Sequence, residues 1–106
     1  VWVVVEEDYW TEEGEGEFEL EVYPNGDAEG EAWVEIGEGH WGWEVDGEIT
    51  GEVSSSGDFD GMWFVHIWEG EVKRVELTGE IGVDGAIHLE FERHDDWMYI
   101  YGGMDG

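Results

Sequence analysis

One stretch of strict alternation, residues 40–54, limits most strongly what this chain can fold into. It reads His-Trp-Gly-Trp-Glu-Val-Asp-Gly-Glu-Ile-Thr-Gly-Glu-Val-Ser, with apolar residues or glycine at the odd positions. A period of two residues predicts a strand with one buried face and one solvent-facing face. Strands usually run about three to ten residues, so this one is expected to bend. Glycines on its inner face, Gly47 and Gly51, allow the bend.

Asp46-Gly47 is also a two-residue hairpin signal, which would divide this stretch into two strands. We favour a continuous bent strand, because a turn at this point would leave only residues 40–46 as the first strand.

The composition indicates a single folded domain over residues 1–106. Thirty acidic residues stand against three basic ones, which gives a formal net charge of −27. Such a charge repels nucleic acid and anionic membranes, so neither is expected as a partner. Eight Trp, four Phe and four Tyr argue against disorder despite that charge. No cysteine is present, which excludes disulfides and zinc–thiolate sites, and neither a signal peptide nor a transmembrane run is visible.

Alternation elsewhere in the chain predicts further strands joined by short turns. Strong turn signals are Pro24-Asn25-Gly26-Asp27 and the hairpin at Val83-Asp84-Gly85-Ala86. The predicted inward rows are Gly16, Phe18, Leu20 and Val22; Ala28, Gly30, Ala32, Val34 and Ile36; Val75, Leu77, Gly79, Ile81 and Val83; Ile87, Leu89, Phe91 and Arg93; and Met98, Ile100, Gly102 and Met104.

Two strands are apolar on both faces, so alternation alone does not orient them. In residues 1–8, Glu6 points inward if Trp2 and Val4 do. In residues 62–68, a two-residue hairpin at 69–70 would pair His66 with Lys73 and Phe64 with Val75, which turns Met62, Phe64 and His66 inward. Residues 54–60 are predicted to be a loop.

These segments total eight strands, and connections this short require antiparallel neighbours. Together with the kink glycines, they predict a closed up-and-down β-barrel with the architecture of the lipocalins. A two-sheet sandwich is the alternative. The glutamate-rich outer face excludes a membrane barrel, which needs an apolar outer band.

Five motifs together match a known pattern: the first strand with Trp2, Glu-Gly-Glu-Phe-Glu-Leu (15–20), the Gly-Glu-Gly turn (37–39), Thr-Gly-Glu-Val (50–53) and Leu-Thr-Gly-Glu-Ile-Gly-Val-Asp (77–84). In these motifs the chain resembles the de novo designed eight-stranded β-barrels. In that family an inward Trp closes one end, and members serve as ligand-free scaffolds, binders of a fluorogenic chromophore, or retro-aldolases with an interior lysine. The glutamate surface and the tryptophan content depart from the family pattern.

Strand direction predicts a candidate site. Odd strands end where even strands begin, so the inward residues at these positions share one end of the barrel, which we call the mouth. Glu6, His66, Lys73 and Arg93 are its predicted polar groups, which are expected to orient the polar atoms of a bound molecule. Trp41 and Trp43, at the start of the bent strand, are expected to stack on that molecule together with Phe64. The full predicted set is Glu6, Val34, Ile36, Trp41, Trp43, Val45, Phe64, His66, Lys73, Val75, Phe91 and Arg93. An apolar cavity with a few polar groups is the usual form of a small-molecule site.

We therefore expect a soluble, monomeric designed barrel that binds one small, flat, partly aromatic ligand non-covalently at its mouth. The alternatives are a ligand-free scaffold and an amine catalyst that uses Lys73, the only lysine. Binding is favoured over catalysis, and no cofactor is expected. Asp58-Phe59-Asp60-Gly61 matches the start of a calcium loop, but the later oxygen ligands are absent, so no metal site is predicted.

Overall fold

The structure is a computed structural model that describes residues 1–7, 11–37, 42–66, 72–95 and 98–106, apart from the side chains of Trp43 and Asp95. These residues form strands β1 (Trp2–Glu7), β2 (Thr11–Val22), β3 (Asp27–Ile36), β4 (Trp43–Val53), β5 (Asp58–His66), β6 (Val72–Ile81), β7 (Ile87–Asp95) and β8 (Met98–Asp105).

The strands form one closed barrel in chain order, and every neighbouring pair is antiparallel. Pairing of β1 with β8, for example Trp2 with Gly103, closes the sheet. The predicted closed up-and-down barrel is therefore confirmed, and the sandwich alternative is wrong. Closure gives each described strand a paired neighbour on both sides, so none of them lies at a free sheet edge over its whole length.

The core lies inside the barrel and consists of residues that alternate along each strand. The inward rows predicted on β3, β6, β7 and β8 are confirmed for most of their length, although Val83, at 112% exposure, lies outside the core. On β2, Phe18 and Leu20 pack against the core as predicted, whereas Val22 is 42% exposed. The buried hydrophobic residues are Val3, Val5, Ala28, Ala32, Val34, Ile36, Val45, Ile49, Phe59, Trp63, Val65, Val75, Leu77, Leu89, Phe91 and Met104.

Strand β4 runs without interruption from Trp43 to Val53, so Asp46-Gly47 is not a hairpin. Gly47 is required where β4 approaches β5, because a Cβ at this position would collide with the Phe64 carbonyl oxygen. The predicted continuous strand is correct, and Gly47 makes the close approach possible.

Three turns of the same kind close one end of the barrel, which we call the turn end. In each, a glycine amide donates to the carbonyl three residues earlier: Gly26 to Tyr23, Gly57 to Ser54 and Gly85 to Gly82. Each of these glycines has a φ near +90°. This is the pattern of a three-residue hairpin loop that ends in a left-handed residue. The predicted turns at 24–27 and 83–86 are confirmed.

The prediction for β5 is wrong in two respects. The strand begins at Asp58, within the segment expected to be a loop, and its inward residues are Phe59, Trp63 and Val65 rather than Met62, Phe64 and His66. His66 pairs with Val72 and not with Lys73. The observed register therefore differs by one residue from the predicted one, and a one-residue shift moves every side chain to the opposite face.

The orientation expected for β1 is also wrong. Val3 and Val5 are buried at 4% and 0% exposure, whereas Trp2 is 45% exposed and Glu6 lies on the outer face. Trp2 thus does not close the barrel from inside, as the resemblance implied. Placing Val3 and Val5 inward keeps the charge of Glu6 in water, where it needs no buried partner.

Rows of glutamates face one another across the outer surface of β2, β3 and β4. Glu31 on β3 pairs with Glu19 on β2 and with Glu48 on β4, and Glu35 pairs with Glu15 and Glu44. Like charges directly opposite one another destabilise a sheet. This face therefore opposes folding electrostatically while the apolar interior favours it.

Candidate functional site

The apolar part of the predicted site is present on the inner face. Val34 on β3 pairs with Val45 on β4, and both are buried, at 0% and 6% exposure. The other buried members of the predicted set are Ile36, Val75 and Phe91. These residues belong to the continuous core, so their packing stabilises the barrel whether or not a ligand binds.

Lys73 and Arg93 are the two predicted polar residues that do lie on the inner-facing rows. Both are half-buried at the mouth, with Lys73 next to the buried Val75 in its row and Arg93 next to Phe91. Lys73 pairs across the sheet with Val65. The Arg93 Nη1 donates a hydrogen bond of 2.6 Å to the Arg74 carbonyl oxygen, which ties the guanidinium to β6.

Glu6, Phe64 and His66 do not belong to this site. Glu6 is exposed on the outer face of β1, where its Oε1 lies 3.5 Å from the Tyr101 hydroxyl. Phe64 is half-buried and His66 is exposed, both on the outer face of β5. The predicted mouth therefore retains two of its four polar groups, since the faces of β1 and β5 are the reverse of those expected.

The two tryptophans of the predicted site, Trp41 and Trp43, fall wholly or partly outside the described residues. Trp41 lies outside them altogether, and for Trp43 only the backbone is described, as the first residue of β4. That backbone pairs with Ile36, which places position 43 at the mouth as predicted. A stacking role for either indole stays a prediction.

Sequence reasoning missed Trp63, which lies across the interior beneath the mouth. Its side chain is 2% exposed, and its ring meets that of Phe91 edge-on with centroids 5.5 Å apart. Its Nε1 donates to the Gly47 carbonyl oxygen at 3.1 Å, so the buried indole leaves no donor unpaired. The signal was available: Asp58 and Asp60 must face water, which directs the odd positions of this strand inward.

A second site feature lies on the outer face of β6, β7, β8 and β1. A groove of about 400 Å³ is lined there by Trp2, Glu76, Thr78, Glu90, Phe91, Glu92, Tyr99, Tyr101 and Gly102. Trp2 and Tyr101 stand almost perpendicular, at 84° with centroids 6.3 Å apart, and Tyr99 lies 5.0 Å from Tyr101. The sequence analysis did not identify this groove, because its aromatic walls come from β1 and β8, the first and last strands of the chain.

Hydrogen bonds to carboxylates raise the pKa of two tyrosines, Tyr23 and Tyr99, and of one histidine, His88, on the outer surface. The Tyr99 hydroxyl donates to Glu92 Oε2 at 2.9 Å, and this bond raises the pKa of Tyr99. A bond to Glu29 raises the pKa of Tyr23 to about 12. Hydrogen bonds from His88 Nδ1 to Asp105 at 2.5 Å and from Nε2 to Glu90 at 3.1 Å raise the pKa of His88.

The described residues hold no cluster of three or more His, Cys, Asp or Glu side chains able to bind a metal ion. Within the same residues, no helix has the length and apolar character needed to span a bilayer. Protein-family models, curated proteins and solved structures provide no match to this chain. Function must therefore be argued from the chain's own residues.

Proposed function

We propose that this barrel, a de novo design by its sequence pattern, binds one small, flat, partly aromatic molecule non-covalently at its mouth. The main support is that the inner-facing side chains of two neighbouring strands, β6 and β7, change from apolar to positively charged towards the mouth. The row on β6 passes from buried Val75 to half-buried Lys73, and that on β7 from buried Phe91 to half-buried Arg93. An apolar floor with a few polar groups at its rim is the usual arrangement of a small-molecule site.

The chemistry of the ligand follows from those two cations. Lys73 and Arg93 are both donors without acceptor capacity, so they favour an anionic or acceptor group such as a carboxylate or a sulfonate. The net charge of −27 opposes an anion. This opposition is screened beyond about 8 Å at physiological ionic strength, whereas short contacts are screened much less. An anionic ligand is therefore expected to bind better as salt is added.

A matched pair of dyes tests the proposal. The probe is 1-anilinonaphthalene-8-sulfonate, and N-phenyl-1-naphthylamine has the same ring system without the sulfonate. Both fluoresce more strongly in apolar surroundings. We expect Lys73→Met to weaken binding of the sulfonate by about three- to fivefold, as for a partly exposed ion pair. Binding of the neutral dye should change little.

Arg74 provides the control, because it is exposed on the outer-facing row of the same strand. Arg74→Met removes the same charge and keeps the carbonyl oxygen that accepts from Arg93. It should leave the affinity of both dyes unchanged. If Arg74→Met weakens sulfonate binding as much as Lys73→Met does, the effect is one of net charge and the mouth is not the site.

The second candidate function is that of a ligand-free scaffold. It is favoured by Trp63 and Phe91, whose edge-on contact fills the interior below the mouth. No polar or charged side chain among the described residues is buried. Absence of saturable binding by either dye at micromolar protein would support this candidate over the first.

A further inference from the structure

The outer groove has two aromatic walls that meet at a right angle. Trp2 on β1 and Tyr101 on β8 are inclined at 84°, and Tyr99 continues the second wall at 32° to Tyr101. Trp2 is 45% exposed, so a large part of its ring is available to a ligand. A small ligand that lies between two perpendicular rings contacts both of them.

Gly103 on β8 allows the Trp2 indole to lie where it does at the edge of the groove. It lies in an outer-facing row with Trp2 on one side and Glu90 on the other. A Cβ at Gly103 would lie 2.9 Å from Trp2 Nε1 and would displace the indole. Because position 103 carries no side chain, the indole can lie over β8 beside the groove.

Carboxylates line the opposite side of the groove. Glu76, Glu90 and Glu92 all contribute to its lining. Glu92 accepts the Tyr99 hydroxyl, and Glu90 accepts His88 Nε2. A phenol that donates to a carboxylate has a more electron-rich ring, which favours a cation against its face. The same hydrogen bond raises the pKa of Tyr99 above its ordinary value of 10.0.

We propose that this groove binds a small quaternary ammonium cation. Such cations are weakly hydrated and have no N–H to donate, so aromatic faces can replace their water while nearby carboxylates supply the opposite charge. A primary ammonium would instead bind any of the many surface glutamates through hydrogen bonds. The proposal concerns a different face of the barrel from the mouth and does not depend on it.

Negative surface charge alone would not make this groove prefer a quaternary ammonium cation to a primary one. A second groove, of about 500 Å³, is lined by Glu19, Leu20, Glu21, Glu29, Gly30, Glu31, Glu48, Ile49 and Thr50. It has five carboxylates and no aromatic residue. Since its charge is at least as dense, it serves as an internal control for the contribution of the aromatic walls.

The experiment compares choline with 3,3-dimethyl-1-butanol, its uncharged analogue of almost the same shape. Both are titrated into the unaltered protein at constant ionic strength, and binding is followed by two-dimensional NMR. We expect choline to shift the Trp2 indole N–H and the Gly103 amide saturably, and the alcohol to shift them much less. Equal shifts with both compounds, or choline shifts largest at Glu29–Glu31, would overturn the proposal.

Variants then test the walls. Trp2→Leu should weaken choline binding by about two- to fivefold, the range for a partly exposed cation–π contact. Trp33→Leu is the matched control, since Trp33 lies on the outer face of β3 between Glu17 and Asp46. It should leave the choline affinity unchanged. An equal loss in both variants would contradict the site.

Two double variants that each remove two carboxylates test the contribution of charge. Glu90→Gln combined with Glu92→Gln should weaken choline binding more than Glu29→Gln combined with Glu31→Gln, although both remove two charges. If the two double variants weaken binding equally, choline is attracted by the general negative field and the groove is not a site. Because this comparison leaves Trp2 in place, it remains decisive if Trp2→Leu fails to fold.

Discussion

Trp63 on β5 donates a hydrogen bond from its buried indole nitrogen to the carbonyl oxygen of Gly47 on β4, over 3.1 Å. The two residues are not opposite each other in the sheet, since Gly47 pairs with Val65 and Trp63 with Ile49. The indole therefore reaches along the barrel towards the mouth.

The first prediction concerns this indole. Trp63→Ala should lower the free energy of unfolding by about 3–5 kcal/mol, because it removes a large buried ring and leaves a cavity. Phe64→Ala is the control on the same strand, and since Phe64 is only half-buried on the outer face it should cost clearly less. Urea denaturation followed by circular dichroism measures both. A larger loss for Phe64→Ala would indicate the opposite register.

The second prediction concerns Gly47. A Cβ there would collide with the Phe64 carbonyl, a backbone atom that moves only with its strand. Gly47→Ala should therefore destabilise the barrel by about 1–3 kcal/mol, the usual range for overpacking. At Gly82 an added Cβ would meet first the Asp84 Oδ1, the end of a flexible exposed side chain. Equal urea midpoints for Gly47→Ala and Gly82→Ala would show that β4 and β5 are not so close.

The third prediction concerns the row of glutamates on β2, β3 and β4. Glu31→Lys replaces two repulsive cross-strand pairs, with Glu19 and with Glu48, by two attractive ones. It should raise the free energy of unfolding by about 0.4–2 kcal/mol at low salt, at roughly 0.2–1 kcal/mol for each pair. The gain should shrink in molar salt, where the screening length falls to about 3 Å. Glu31→Gln, which removes only the repulsion, should give a smaller gain.

The fourth prediction concerns pH. Hydrogen bonds to Asp105 and Glu90 raise the pKa of His88 above its ordinary 6.5. The contribution of His88 to stability is therefore complete below pH 6.5 and is lost as the pH rises through the raised pKa. His88→Gln should lower the melting temperature relative to the parent at pH 5.5–6 and much less at pH 9.

Comparison with the parent at each pH is essential here, because acidification also relieves repulsion over the whole surface. His66→Gln, on the exposed outer face of β5, controls for loss of an imidazole. A melting-temperature difference for His88→Gln that does not change with pH would contradict the prediction.

The face of each candidate site residue was predictable only where its strand alternates clearly between polar and apolar residues. The inward faces of Lys73 and Arg93 were predicted correctly, because Val75, Leu77, Leu89 and Phe91 fix the buried faces of β6 and β7. Glu6 and His66 were placed wrongly because each follows a segment that is apolar on both sides. The aromatic groove could not be found from the sequence, since it combines side chains from β1, β6, β7 and β8.

The sequence by itself determined the strand class, the antiparallel order and the buried face wherever polar and apolar residues alternate. In those segments, facing the glutamates inward would bury unpaired charges, so only one orientation is possible. Tertiary structure decided the faces of β1 and β5. In Val1–Val5 and Met62–Val65 both faces are apolar, and the free energy of burial differs little between them. There the choice depends on pairing with β2, β8, β4 and β6, which fixes the register, and a shift of one residue reverses every side chain.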